Sequence, residues 1–209
     1  FYAAAMDSVT INRLGFAPIQ TDYQRAGAVQ TTAQVIDEII YQRTNGIGNP
    51  LFGFFVGQDA RHPTVMAAQF SQGGTSMPDR DYYLKDDART KKIQAAHSSY
   101  ITALFVLAGD QEADAKKKAE AIFGLEKKLA TAQMSRVEMR DPIKRYNKFS
   151  VADFSKRSPS FDWSTTLGKL RAPGQDSVIV SAPKFFSVAD SLLKAVAMAD
   201  WQIYLQWNV

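Results

Sequence analysis

The amino-acid sequence predicts a mainly α-helical domain: several helices with one small β-hairpin, forming a single lobe over residues 1–209. Three observations carry this. Two long windows, Arg89 to Leu107 and Gln111 to Ser135, repeat apolar residues at the helical period. One window, Leu51 to Phe70, switches to the period of strands. An apolar fraction of 45% with 22% charged residues belongs to a chain that buries one sizeable core.

Taken in order, Phe1, Ala5, Val9 and Asn12 share a helical face in FYAAAMDSVTINRLG, and Gly15 is placed to stop that helix. A linker with Pro18 follows. Thr31 or Thr32 opens a second helix with Val35, Ile36, Ile39 and Ile40 on one face, and TNGIGNP breaks it. Leu51–Val56 and Thr64–Phe70 read as two short strands around a polar turn. The next helix carries Ile93, Ala96, Tyr100, Leu104 and Leu107 along one stripe; its successor carries Ala115, Ile122, Leu125, Leu129 and Ala132. Gly109 ends the first and Asp110 can cap the second, so the pair is expected as an antiparallel αα-hairpin.

FSVAD occurs twice, at Phe149–Asp153 and Phe186–Asp190, each time with Ser three residues before Asp, the spacing of a capped helix start. Asp162 or Ser164 opens a short helix to Leu170, and VIVSAP, Val178 to Pro183, reads as a short buried strand. A last helix or helix pair runs from Ser187 onward with Trp201, Tyr204, Leu205 and Asn208 near one face.

Composition removes whole classes of chemistry. Without cysteine there are no disulfides, thiolate zinc sites or thiol nucleophiles. The net charge of +4 is scattered, and its one run, Lys116–Lys118, reads as a solvated helix face, so no nucleic-acid partner is expected. No apolar run approaches the roughly 18–20 residues that span a bilayer. His62 and His97, the only histidines, do not stand one helical turn apart, so no H-E-x-x-H zinc pair exists. No G-x-S-x-G elbow or glycine-rich phosphate loop is present, and QGGTS at 72–76 reads as a flexible turn. Asp79, Asp81, Asp86 and Asp87 cluster without the frame of a calcium loop. No catalytic or metal-binding residue is expected, and substrate contacts stay unassigned.

Two stretches share a recipe instead. In MPDRDYYLKDD, Pro78 fixes the backbone, Arg80 between Asp79 and Asp81 can order a loop by charge-assisted hydrogen bonds, and Tyr82 and Tyr83 offer apolar faces with polar tips. Such a segment locks a hairpin onto the following helix. MRDPIKRYN repeats the pattern with Arg140, Asp141, Pro142 and Tyr146.

In order, these stretches resemble the N-terminal helical domain of the neprilysin and endothelin-converting-enzyme family of zinc endopeptidases. The resemblance rests on FYAAAMDSVTINRLGFAPI, on LFGFFVGQDARHPTVMAAQF with the PDRDYYL that follows, on MRDPIKRYNKFSVADF, on VIVSAPKFF and on WQIYLQWNV. It implies a two-domain parent whose catalytic half carries the H-E-x-x-H helix, zinc and its third ligand. The present lobe would bind no zinc, be inactive alone, cap its own catalytic domain and enclose oligopeptide substrates. Ala5, where many animal members have cysteine, and the absence of N-x-S/T sequons point to a bacterial branch. That branch places the protein in the periplasm, secreted or lipid-anchored, with the cytoplasm as the alternative. The start at Phe1 and the end within a helical pattern are expected of a piece of a longer polypeptide. The competing expectation is a free-standing helical interaction or peptide-binding module without activity.

Overall fold

The computed structural model describes residues 2–209. Its first helical stretch is two helices, α1 (Tyr2–Met6) and α2 (Ser8–Leu14), where the periodicity predicts one. Asp7 causes the break: its backbone leaves the helical region, and its carboxylate accepts from the Thr10 N–H at 3.0 Å, starting α2 afresh. Phe1 lies outside the described residues. The expected Pro18 linker is also helical. A 3₁₀ turn, Ala17–Ile19, takes the proline in its opening turn, where no amide donor is needed, and leads into α3 (Gln20–Gly27). Helix α4 (Thr32–Thr44) starts on Thr31, whose hydroxyl accepts from the Gln34 N–H, and buries Val35, Ile36, Ile39 and Ile40 as predicted.

The hairpin is longer than its two apolar runs. β1 (Phe52–Asp59) pairs antiparallel with β2 (His62–Gln72), from Phe52 opposite Gln72 to Gln58 opposite Met66, with a register shift before Asp59. It is also only half of the sheet. β3 (Asn147–Ser150) pairs antiparallel with β4 (Ser177–Val180), and β4 runs parallel to β2, giving the order β1-β2-β4-β3. The β4 prediction holds. β3 escaped notice because YNKFS has too few apolar residues to set a period.

Between the strands lie α5 (Asp81–Leu84), α6 (Ala88–Leu107), α7 (Glu112–Ala132), a 3₁₀ turn at Glu138–Arg140, α8 (Val151–Arg157) and α9 (Trp163–Lys169). α10 (Pro183–Ala195) and α11 (Met198–Trp207) close the chain. The α6–α7 hairpin forms, and every predicted apolar position of α7 is buried. On α6 the predicted stripe holds only at Ile93, which packs against the cluster of Met77, Tyr83 and Ala130. Ile101 and Phe105 meet Ala115, Ala119 and Ile122, whereas Tyr100, Leu104 and Leu107 stay exposed. Asp110 caps nothing; Gln111 precedes α7, and Asp110 pairs with Lys118 at 2.6 Å.

Of the two FSVAD copies, the first starts a helix: Ser150 accepts from the Asp153 N–H at 3.0 Å. The second lies inside α10, which Pro183 opens, so Asp190 is buried, accepting from the Ser160 N–H at 2.6 Å and pairing with Lys194. The main core sits where the sheet meets α8, α9 and α10. There Phe52, Phe70, Phe154, Phe161, Trp163 and Phe186 form one aromatic nest. Among the described residues no helix is long and apolar enough to cross a membrane.

Candidate functional site

The structure brings the start of the first motif to the region of the second, and buries Tyr83 in a small cluster with Met77 and Ala130. Asp79 opens the motif by accepting from the Asp81 N–H at 2.7 Å, and its other oxygen meets Arg136 Nε at 2.6 Å. Arg80 does not bridge the two aspartates. It donates to the Gln133 carbonyl at the end of α7, satisfying an acceptor the helix leaves free. Asp81 pairs with Lys85 on the solvent side at 2.8 Å. Tyr82 offers its carbonyl to the Gln94 amide on α6. Pro78, Asp79, Arg80, Arg136, Met139 and Arg140 line a shared notch of about 230 Å³, which is where the two motifs come together.

The rest of the second motif diverges from that notch. Asp141 accepts from the Ile143 and Lys144 N–H groups and turns the chain, with Pro142 exposed beside it. Tyr146 donates to the fully buried Asp59 at 2.8 Å, and Arg61 lies over its ring at 4.3 Å. Asp59 also accepts from Lys148 Nζ and from the Arg61 N–H, both at 2.9 Å. Burial alone would raise its pKa; those three donors hold it below the usual carboxylate range instead. The second motif therefore fastens β3 to the tip of the hairpin.

Tyr83 marks a cluster that the sequence reading missed. Its hydroxyl accepts from the Met77 N–H at 2.8 Å and donates to Glu126 Oε2 at 2.7 Å. Glu126 is 1% exposed. Its Oε1 accepts from the Ser76 N–H at 3.1 Å, its Oε2 from the Ser76 hydroxyl at 2.8 Å, and His97 Nε2 lies 2.8 Å from that hydroxyl. Burial pushes the Glu126 pKa up to about 7 against the pull of these donors, and burial also lowers that of His97. A signal was available in the sequence: Glu126 is four residues after Ile122 and three before Leu129, so a carboxylate stands on the buried stripe of α7.

The segment expected to be a flexible turn, QGGTS, is held at successive residues. Gln133 donates to the Gly73 carbonyl and Thr75 Oγ1, Tyr204 donates to the Gly74 carbonyl at 3.0 Å, and Glu126 holds Ser76. Gly74 has φ +75°, and a Cβ there would lie 2.7 Å from Leu51 Cα and 2.8 Å from the Tyr204 hydroxyl. Gly74→Ala is expected to cost about 1–3 kcal/mol from the left-handed backbone and these contacts, read as a lowered thermal midpoint.

As for metal ligands, His97 Nε2 is committed to Ser76, and His62 sits exposed at the start of β2. Among the described residues no three His, Asp or Glu side chains converge, so these residues do not fit a catalytic zinc ion.

The sequence pattern of the N-terminal part of Peptidase family M13 matches residues 1–209. The chain belongs to that family. Neprilysin-3 of Drosophila melanogaster is 28% identical over 171 residues, covering 77% of this chain and 22% of that protein. Endothelin-converting enzyme-like 1 of Mus musculus is 25% identical over 226 residues, covering 100% of this chain and 29% of that protein. The solved structure of the Mycobacterium tuberculosis zinc metalloprotease Zmp1 in complex with inhibitor matches with a TM-score of 0.91 and 26% identity, over 99% of this chain and 32% of that one. The chain spans under a third of the length of these M13 relatives. The helical domain with its small sheet is the fold of the M13 N-terminal domain.

Proposed function

We propose that this M13 domain is the non-catalytic, substrate-enclosing lobe of a zinc endopeptidase that cleaves oligopeptides, with the metal and the water-activating carboxylate supplied by another part of the protein. The observation that carries the reading is the likeness to the zinc metalloprotease over 99% of the chain at a TM-score of 0.91. A second feature supports a partner lobe. Phe16, Ile19, Leu104, Leu107, Trp207 and Val209 line an open apolar groove of about 440 Å³, and Leu107 is 78% exposed. A face of this kind is what a second lobe of the same protein covers. On this reading PDRDYY and MRDP are structural joints that hold loop, hairpin and α7 rigid beneath the enclosing wall.

The test compares the intact protein with this chain alone, using a fluorogenic oligopeptide and zinc. The intact protein is expected to hydrolyse the peptide, to lose activity to a chelator and to regain it with zinc. Residues 1–209 alone are expected to do neither. Stoichiometric zinc binding with hydrolysis by this chain alone, or an intact protein inert with zinc present, overturns the reading.

A further inference from the structure

Ser76, on the loop after β2, meets His97 of α6 and Glu126 of α7; Tyr83 of α5 shares the Glu126 carboxylate, and Trp207 of α11 lies edge-on to the His97 ring at 6.3 Å. The hydroxyl stands between two groups that can each give or take a proton, 2.8 Å from Glu126 Oε2 and 2.8 Å from His97 Nε2. It owns a single hydrogen. If that hydrogen points to Glu126, the carboxylate is ionised and the imidazole must donate from Nε2. If it points to His97, Nε2 must be bare, and Glu126 must be the protonated donor.

We propose that Ser76, His97 and Glu126 form a proton switch, in which one hydroxyl hydrogen ties the charge of the buried carboxylate to the tautomer of the imidazole. On acidification a proton arrives at His97 Nδ1, the Nε2 proton passes to Ser76 Oγ, and the Ser76 hydroxyl hydrogen passes to Glu126 Oε2. One proton is taken up, the ring stays neutral, and the carboxylate is discharged. Raising the pH runs the same steps backwards.

The surroundings restrict the proton to this route. Tyr83 accepts from the Met77 N–H at 2.8 Å and donates to Glu126 Oε2 at 2.7 Å. The other titratable group facing the carboxylate is Tyr204 of α11, with Arg43 of α4 beyond it; Lys127 and Lys128 on α7 are exposed to solvent. Burial holds both tyrosines protonated far above neutrality, and among the described residues no lysine or arginine pairs with Glu126. His97 Nδ1 is buried without a partner, so the low-pH tautomer already leaves that N–H unmatched, and a doubly protonated ring would add a half-buried charge to the same cost. The switch therefore alternates between an ionised and a neutral carboxylate at the anchor of the 73–77 loop, never through an imidazolium.

The experiment is ¹⁵N spectroscopy of histidine-labelled intact protein from about pH 5 to about pH 9, the range in which histidine ordinarily titrates. The His97 signals are assigned by their loss in His97→Asn. The expected result is a neutral ring throughout, protonated on Nε2 at high pH and on Nδ1 at low pH. The tautomer ratio should swing by about tenfold or more, the ratio set by one pK unit of coupling. Ser76→Thr should keep the swing, and Ser76→Ala, which lacks the hydroxyl, should lose it. A smaller swing in the wild type, an imidazolium signal in this range, or a swing that survives Ser76→Ala overturns the proposal. The wild-type measurement decides the matter even where a variant fails to fold.

Discussion

Trp163→Ala is expected to lower the unfolding free energy by about 3–5 kcal/mol, the range for emptying a large aromatic site in a core. Trp163 is fully buried and sandwiched, stacked on Phe154 at 4.4 Å and on Phe161 at 4.5 Å, with the edge of Phe70 at 4.9 Å. Its indole N–H donates to Ser158 Oγ at 2.8 Å, and Ser158 is itself fully buried, so the substitution also removes that donor and leaves the hydroxyl only its bond to the Phe154 carbonyl. The nest cannot close over the gap cheaply, because its members come from separate elements: Phe70 from β2, Phe154 from α8, Phe186 from α10. The denaturant midpoint in a urea titration reads the loss. Trp163→Phe keeps one stacked ring and should retain most of the stability. A loss below about 1 kcal/mol for Trp163→Ala would mean that α8 and α9 slide together to refill the site.

The aromatic nest and the α6 error mark how far the sequence can be read. On α7 only one apolar stripe exists, so periodicity names the buried face without ambiguity. On α6 two stripes compete. Tyr100, Leu104 and Leu107 have the spacing of a core face, yet Ile101 and Phe105 are the residues that meet α7. Periodicity reports that a face is apolar; which neighbour covers it is settled by tertiary contacts. The helix-start chemistry has the same limit. FSVAD caps α8 but is interior to α10, because Pro183 had already begun that helix three residues earlier than Phe186. For the site, only the local turns of both motifs follow from near neighbours, as in Asp79 with the Asp81 N–H and Asp141 with the Ile143 N–H, whereas Arg80 reaches Gln133 and Asp79 pairs with Arg136. Distant partners were not legible: Tyr83 is 43 residues from Glu126, and Tyr146 is 87 from Asp59. Nothing local announces that QGGTS will be gripped by Gln133, Tyr204 and Glu126.

Glu126 should also make the stability of the domain depend on pH, and the sign is fixed by its environment. Its folded pKa of about 7 lies above the ordinary carboxyl value, so between those two values the folded chain holds a proton that the unfolded chain has released. Stability from this group is fully present below about pH 4.5, falls as the pH rises toward about 7, and is flat beyond. Over that span the loss is on the order of 3 kcal/mol, at about 1.4 kcal/mol per pH unit. Two other groups act in the opposite sense. His97, lowered by burial, costs stability as the pH falls below about 6.5, and Asp59, held low by its donors, does so only in strong acid. Subtracting the pH profile of Glu126→Gln, which keeps Asp59, isolates Glu126 together with the His97 coupled to it through Ser76. Glutamine cannot satisfy the Ser76 N–H and both hydroxyls together, so the variant starts with a deficit at low pH. That deficit should shrink as the wild type is forced to ionise a buried carboxyl. Urea midpoints at about pH 5 and about pH 8 are sufficient to see it, because the expected change exceeds the usual extrapolation error. A difference independent of pH would mean that the three donors outweigh burial and keep Glu126 charged throughout.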